Sequence, residues 1–236
     1  MSEEYEYPEF IVKLGLDFKA IRIVDNRMIP THWNIQAEVL YEDDGVEEDP
    51  DGDLEIKIAI AKIKYWLEHT LGGSLIIDIG NEWAFESFFD EDGKCTTGNN
   101  IVMAPTTPTD DLIAELLHSK MNAFGGKHIQ FGVMELTSDD KSNLSYMFTG
   151  DGENNLPEMT DWIGERTYFD KPWWARDDAS TIDLIPGDEA NLDEKPSFAY
   201  SLDFIRQSFK KQLGEEAVVI RPNFKPTVIN GGLDGV

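Results

Sequence analysis

Apolar and polar residues alternate along four segments of the chain, and these segments fall into two pairs. The first pair covers roughly residues 9–24 and 33–42, and the second covers about 127–137 and 143–149. Alternation rich in β-branched and aromatic residues is typical of strands that are buried on one face. We therefore expect the four segments to form one antiparallel sheet.

Two segments between these pairs have apolar residues at helical spacing. The first runs over Leu54–Leu71 and ends at Gly72-Gly73. The second begins after Thr107, which we expect to cap it, with Pro108 at the first helical position and Asp110 as the acid of a capping box. Its apolar stripe is formed by Leu112, Ile113, Leu116, Leu117 and Met121. The pattern predicts a ββ-α-α-ββ order.

Three further stretches change this picture. The short apolar run Ser74–Ile79 predicts an additional strand. After Gly150 the periodicity weakens, so we divide the chain into a domain at 1–150 and an acidic extension at 151–236 that includes a short helix at Ser201–Gly214. The tryptophans of the extension need an apolar surface to pack on. We therefore expect the extension to wrap the core or a neighbouring subunit. These tryptophans are Trp162, Trp173 and Trp174.

Acidic residues dominate the charge of the chain. Asp and Glu number 46 against 20 Lys and Arg, a formal net charge of -26. Such a surface repels phosphate backbones and anionic membranes, which excludes direct nucleic-acid or membrane binding. Without an apolar run of about 18 residues or a basic, apolar leader, the sequence predicts a cytoplasmic protein. The acidity serves solubility or, alternatively, imitates nucleic acid to occupy a basic partner.

The candidate chemistry lies at two places. Glu68 and His69 end the first helix, either as a proton-transfer pair or as a helix-terminal histidine that interacts with the helix dipole. Glu135 alternates with Val133 and Phe131, so we expect a carboxylate on an apolar face that needs a ligand or another partner. The lone Cys95 excludes an intrachain disulfide, and His32 is expected in a solvated turn.

Three motifs in this order resemble the tunnelling-fold family of 6-pyruvoyltetrahydropterin synthase and 6-carboxytetrahydropterin synthase. Leu67-Glu68-His69 is similar to the family's Leu-Asp-His, and the run from Pro108 to Leu112 is similar to its Pro-Thr-x-Glu-x-Leu. Glu135 is similar to its substrate-anchoring Glu, which receives two parallel hydrogen bonds from the amino-pyrimidine edge of a pterin. The resemblance covers roughly residues 9–150. It implies an α+β tunnelling fold with two helices on one face of the antiparallel sheet.

The resemblance also implies an assembly and a set of site residues. In that family, sheets join edge to edge into an oligomeric barrel with the ligand between subunits, so a homo-oligomer is expected. Glu68 and His69 are the implied catalytic residues, and Glu135 is the implied substrate-binding residue. A pterin or purine is the implied small-molecule partner.

The chain departs from the family at its metal site. The positions of the three zinc histidines fall near Arg22 and on Thr31 and Trp33, and the catalytic cysteine falls near Arg27. We therefore expect no zinc cofactor and no standard zinc-dependent reaction. One hypothesis is a pterin- or purine-binding protein whose remaining chemistry, if it is a lyase at all, is zinc-independent acid-base catalysis by His69. The alternative is a non-catalytic structural or interaction protein on the same scaffold.

Overall fold

The computed structural model describes residues 9–42, 50–91, 96–126, 129–139, 145–148, 155–163, 169–183 and 201–212, which form an α+β fold. Its strands are β1 (Glu9–Val24), β2 (Arg27–Glu42), β3 (Leu75–Asp78), β4 (Ile101–Ala104), β5 (Gln130–Ser138) and β6 (Ser145–Phe148). Its helices are α1 (Pro50–Trp66), α2 (Glu82–Phe88), α3 (Asp110–Gly125), α4 (Met159–Trp162) and α5 (Asp203–Gln212). A π-helical turn, Leu67–Leu71, continues α1, and a short 3-10 helix covers Trp173–Ala175.

The six strands form one mixed sheet in the order β4-β3-β1-β2-β5-β6. Strands β1, β2, β5 and β6 pair antiparallel in that order, as the two predicted pairs require. The sheet is nevertheless larger than the four antiparallel strands that we expected, because β3 and β4 extend it beyond β1 and pair in parallel. Sequence reasoning missed β4, since a short strand buried on both faces is continuously apolar and shows no alternation.

The hairpin between β1 and β2 is tighter than the sequence predicted. Val24 pairs with Arg27, so Asp25 and Asn26 alone form the turn. Both have positive φ, 50° and 57°, which is the geometry of the turn type that joins twisted antiparallel strands. Asn and Asp tolerate this backbone conformation better than other residues with a Cβ atom. The second strand consequently begins at Arg27 rather than at residue 33.

The two faces of the sheet differ in chemistry. One face packs against α1 and α3 and contains the core, with Trp33, Ile35 and Ile63 wholly buried. The other face, which we call the open face, is polar and solvent-exposed at Asp17 and Gln36 among the described residues.

Part of the C-terminal region is built into the core. Trp162, Trp173 and Trp174 are buried against it, and residues 169–183, which we call the strap, run along α3 and the edge of the sheet. Helix α5 packs on α1 through a two-pronged ion pair between Arg206 and Glu55. No helix among the described residues is long and apolar enough to cross a membrane.

Candidate functional site

Glu135 lies on the open face of the sheet, half-buried near the middle of β5. Its neighbours Met134 and Leu136 are buried in the core, so the alternation of the strand turns Glu135 the other way. The expectation that it shares a face with Phe131 is wrong. Strand β5 carries one extra residue between Phe131 and Met134, where the register opposite Ala37 shifts, and this bulge exchanges the faces.

A row of four residues crosses the sheet at Glu135. Gln36 of β2 pairs with Glu135 on one side, and Met147 of β6 pairs with it on the other. Gly15 of β1 completes the row, and the Gln36 amide lies over it, 3.4 Å from the position that a Cβ atom would take. The row thus offers a carboxylate that accepts hydrogen bonds, an amide that donates and accepts them, and an exposed thioether.

Glu68 and His69 lie on the π-helical turn that ends α1, on the helix side of the sheet. His69 Nε2 is 3.8 Å from Glu68 Oε2, and the side chains are 52% and 76% exposed. The imidazole packs on the Tyr65 ring at 4.4 Å, and Asn100 Nδ2 donates to the His69 carbonyl at 3.1 Å. Glu135 lies on the open face, on the other side of the sheet. Within one chain, therefore, none of the described contacts joins Glu135 to Glu68 or His69.

A buried polar cluster joins β1, β2, β5 and α3. Arg22 Nη1 lies 2.8 Å from Asp110 Oδ1, and the Arg22 side chain is 3% exposed. Trp33 Nε1 donates to the same Asp110 oxygen at 3.0 Å, and Ser138 Oγ donates to the other at 2.7 Å. The guanidinium carbon lies 5.5 Å from the centre of the Trp33 ring. We call these four residues the Asp110 cluster.

The Asp110 cluster corrects the sequence interpretation of the helix start. Helix α3 begins at Asp110, and its N-cap residue Thr109 makes no side-chain cap hydrogen bond. Asp110 points into the protein because three donors meet it there, so it does not close a capping box. Sequence reasoning missed this role, although an arginine within the apolar strand around Arg22 was a signal that a buried acid must stand nearby.

His32 lies within β2 and not in a turn. Its Nε2 is 3.1 Å from Asp17 Oδ2, and its backbone N–H donates to Asp139 Oδ1 at 2.8 Å. An open cavity of about 310 Å³ lies beside it, with Lys19 and Pro30 also in its wall. Among the described residues, no group of three or more His, Cys, Asp and Glu side chains could hold a metal ion. Cys95 lies outside the described ranges.

The comparisons with known proteins leave the family open. No family model matches the chain, and no curated protein is similar to it. Among solved structures, the chain is similar to an uncharacterized protein, WS1659, from Wolinella succinogenes, at 11% identity and a TM-score of 0.40. That match covers 61% of this chain and 99% of the other. A likeness of this size carries no argument about function.

Proposed function

We propose that this chain is a 6-pyruvoyltetrahydropterin or 6-carboxytetrahydropterin synthase-like protein that binds a pterin or purine ring through Glu135. The position of Glu135 carries the proposal, because a half-buried carboxylate on a strand paired with Gln36 suits a flat polar ring. A guanine- or pterin-type edge presents two adjacent N–H donors next to a carbonyl oxygen. Glu135 would accept from both donors, and Gln36 would donate to the carbonyl.

We place the ring at an interface between copies of this chain in a tunnelling-fold barrel. Among the described pairings, β1 meets β3 only at Ile21 and Arg22, so the outer edge of β1 over Lys13–Phe18 has no strand beside it. Strand β6 ends the sheet on the other side. Two edges of one sheet that no described strand pairs with support edge-to-edge joining of several copies. The parallel strands β3 and β4 restrict that joining to the first part of β1.

The proposed binding proceeds without the zinc-dependent reaction of the resembled family. Arg22 and Trp33 stand where two of the family's zinc histidines are expected, and both donate to Asp110. A fixed, buried guanidinium repels a divalent cation, since like charges repel most strongly away from water. Acid-base chemistry, if the protein is a lyase, falls to His69 and Glu68 of another copy, because the sheet lies between them and Glu135 within one copy.

The Glu135→Gln variant tests the proposal. In calorimetric titrations we expect the native protein to bind neopterin and guanosine but not adenosine, whose edge lacks two adjacent N–H donors beside a carbonyl oxygen. The variant should weaken binding by about tenfold or more, because hydrogen bonds to a charged acceptor contribute roughly 1.5–3 kcal/mol. Glu38→Gln is the matched control: Glu38 also belongs to the open face, where it lies 3.9 Å from Lys13. Native mass spectrometry of the same samples should show one closed oligomer for all three proteins.

Either of two results would remove the proposal: no ring binds the native protein, or the Glu135→Gln and Glu38→Gln variants bind it equally well. If the protein sediments as a monomer at micromolar concentration, the proposed barrel is wrong. The titrations would then still decide whether a ring binds.

A second function, a non-catalytic structural or interaction protein, is favoured by one observation. Glu68 and His69 are mostly exposed and 3.8 Å apart, and an exposed pair contributes too little energy to hold a fixed catalytic geometry. The net charge of -26 then suits a basic partner. Under this function no ring binds, the native mass shows no adduct, and a polycationic peptide binds with an affinity that falls steeply with salt.

A further inference from the structure

The ammonium group of Lys120 is wholly buried where α3 meets the strap. Lys120 Nζ donates to the carbonyl oxygens of Trp173 at 2.7 Å and Arg176 at 2.8 Å, and its side chain is 0% exposed. Aromatic rings surround it, with their centres 5.0–5.9 Å from Nζ; they belong to Trp66, Phe124 and Trp173. A cationic group of the core therefore holds the backbone of the strap.

The strap keeps its own charges largely paired among themselves. Arg176 bonds to Asp178 and Asp183, and Asp183 also accepts from the Trp162 indole at 2.9 Å and the Trp173 backbone N–H at 2.8 Å. Asp178 lies 4.0 Å from Lys120 Nζ, at the limit of an ion pair. The acids of the strap thus leave the charge of Lys120 poorly compensated.

We propose that the strap is a closure whose docking onto α3 responds to the charge of the Lys120 amine. Docking places that amine away from water, and undocking returns it to water. A group that changes its surroundings so completely must bind protons differently in the two states. Proton concentration therefore shifts the balance between the docked and the undocked strap.

The direction of this response follows from the surroundings of the amine. Burial lowers the pKa of Lys120 from 10.5 to about 7, although Asp178, Asp177 and Asp183 favour the charged form; Arg176 opposes it. From α1 the uncharged Trp66 ring faces the amine. The undocked state binds one more proton between these two pKa values, so docking strengthens as the pH rises above about 7.

Undocking would uncover a sheet edge. Thr181 accepts a hydrogen bond from the Met103 backbone N–H at 3.1 Å and donates its hydroxyl to the Ile101 carbonyl at 2.6 Å. Trp173 Nε1 donates to the Met103 carbonyl at 2.9 Å. The strap thus covers β4, the last strand of the sheet on that side, and an uncovered edge strand pairs readily with another chain. The proposal stands apart from the ring-binding proposal, whose residues lie on other strands.

Hydrogen exchange of backbone amides across pH tests the proposal on the intact protein. The probes are the amides of Met103 and Trp173, and the reference amides are those of the β2–β5 ladder. After correction for intrinsic exchange rates, we expect the probes to be less protected than the reference amides, and their protection to rise about tenfold per pH unit from about pH 7 to 9, because one proton is released on docking. Equal protection of the probes and the reference amides would overturn the proposal, since the strap would then open only with the whole fold.

Two lysine variants separate the proposed cause from general charge effects. Lys120→Met removes the titrating amine and should abolish the pH dependence of the probes. Lys62→Met is the control, because Lys62 also joins the core to the strap, 3.7 Å from Asp177, and its loss should leave the pH dependence unchanged. Persistence of the slope in Lys120→Met would overturn the proposal. Should that variant fail to fold, NMR titration of Lys120 in the native protein decides: a midpoint near its ordinary 10.5 overturns the proposal.

Discussion

Replacing Asp110 with alanine should destabilise the protein more than replacing any other acidic residue of α3 with alanine. Asp110 accepts hydrogen bonds from Arg22, Trp33 and Ser138, which come from three different strands. Alanine removes all three acceptor contacts at once. It also leaves the Arg22 side chain, only 3% exposed, without the carboxylate that lies 2.8 Å away.

The expected magnitude follows from the burial of Arg22. Removing one partner of a buried ion pair costs about 3–5 kcal/mol, because the remaining charge loses its compensation and does not regain water. The hydrogen bonds from Trp33 and Ser138 belong to the same cost and are not added to it, since contacts that share one carboxylate are not independent. We expect the free energy of unfolding of Asp110→Ala to fall by about this amount.

Urea unfolding followed by circular dichroism, at one fixed protein concentration, measures the change. Asp111→Ala is the matched control, because Asp111 is the next residue of the same helical turn and is exposed. It loses only an interaction with the helix dipole, about 0.3–1 kcal/mol. The double variant Arg22→Met/Asp110→Ala should recover much of the lost stability, because no charge is then left buried.

Two results would refute this reasoning. One is an Asp110→Ala variant as stable as Asp111→Ala, which would mean that Arg22 finds another partner or reaches water. The other is a double variant whose loss equals the sum of the two single losses, which would mean that Arg22 and Asp110 are not energetically coupled.

Two further predictions concern local packing. In thermal denaturation, Gly72→Ala should lower the free energy of unfolding more than Gly73→Ala, although Gly73 has the positive φ of 72°. The reason is that a Cβ atom at Gly72 would lie 2.5 Å from a backbone carbonyl oxygen of the π-helical turn. Equal losses in the two variants would contradict this prediction. Trp173→Phe should cost about 1 kcal/mol more than Trp66→Phe in urea unfolding, because the Trp173 indole donates to the Met103 carbonyl whereas the buried Trp66 N–H has no acceptor among the described residues. A larger loss of unfolding free energy in Trp66→Phe would show that ring packing, and not the hydrogen bond, decides the stability of both variants.

Local sequence patterns determined the elements of this protein more fully than their arrangement. Period-two alternation predicted the strands of the two pairs, and helical spacing predicted α3 and a helix over Leu54–Leu71. That helix is present, although it begins earlier, at Pro50, and its last turn is π-helical. These patterns are properties of neighbouring residues, since each side chain's face depends on the positions next to it. The helix predicted at Ser201–Gly214 is likewise present, as Asp203–Gln212.

The candidate site was predictable only in part. The residue type and the strand of Glu135 followed from the sequence, and its role as a ligand anchor, like those of Glu68 and His69, stays a prediction. The face of Glu135 did not follow, because the extra residue between Phe131 and Met134 depends on the register with β2. A one-residue shift exchanges the faces of a strand, and no pattern within β5 announces it.

The tertiary structure alone decided which distant residues meet. Asp110 is 88 positions from Arg22 and 77 from Trp33, and Lys120 is 53 positions from Trp173. Such contacts form only after the strands pair and the strap docks, so the sequence near each residue says nothing of its partner. The sequence by itself determined that buried charges and tryptophans needed partners, because unpaired polar groups and exposed rings are costly. The fold decided which partners they found, because proximity depends on how the whole chain packs.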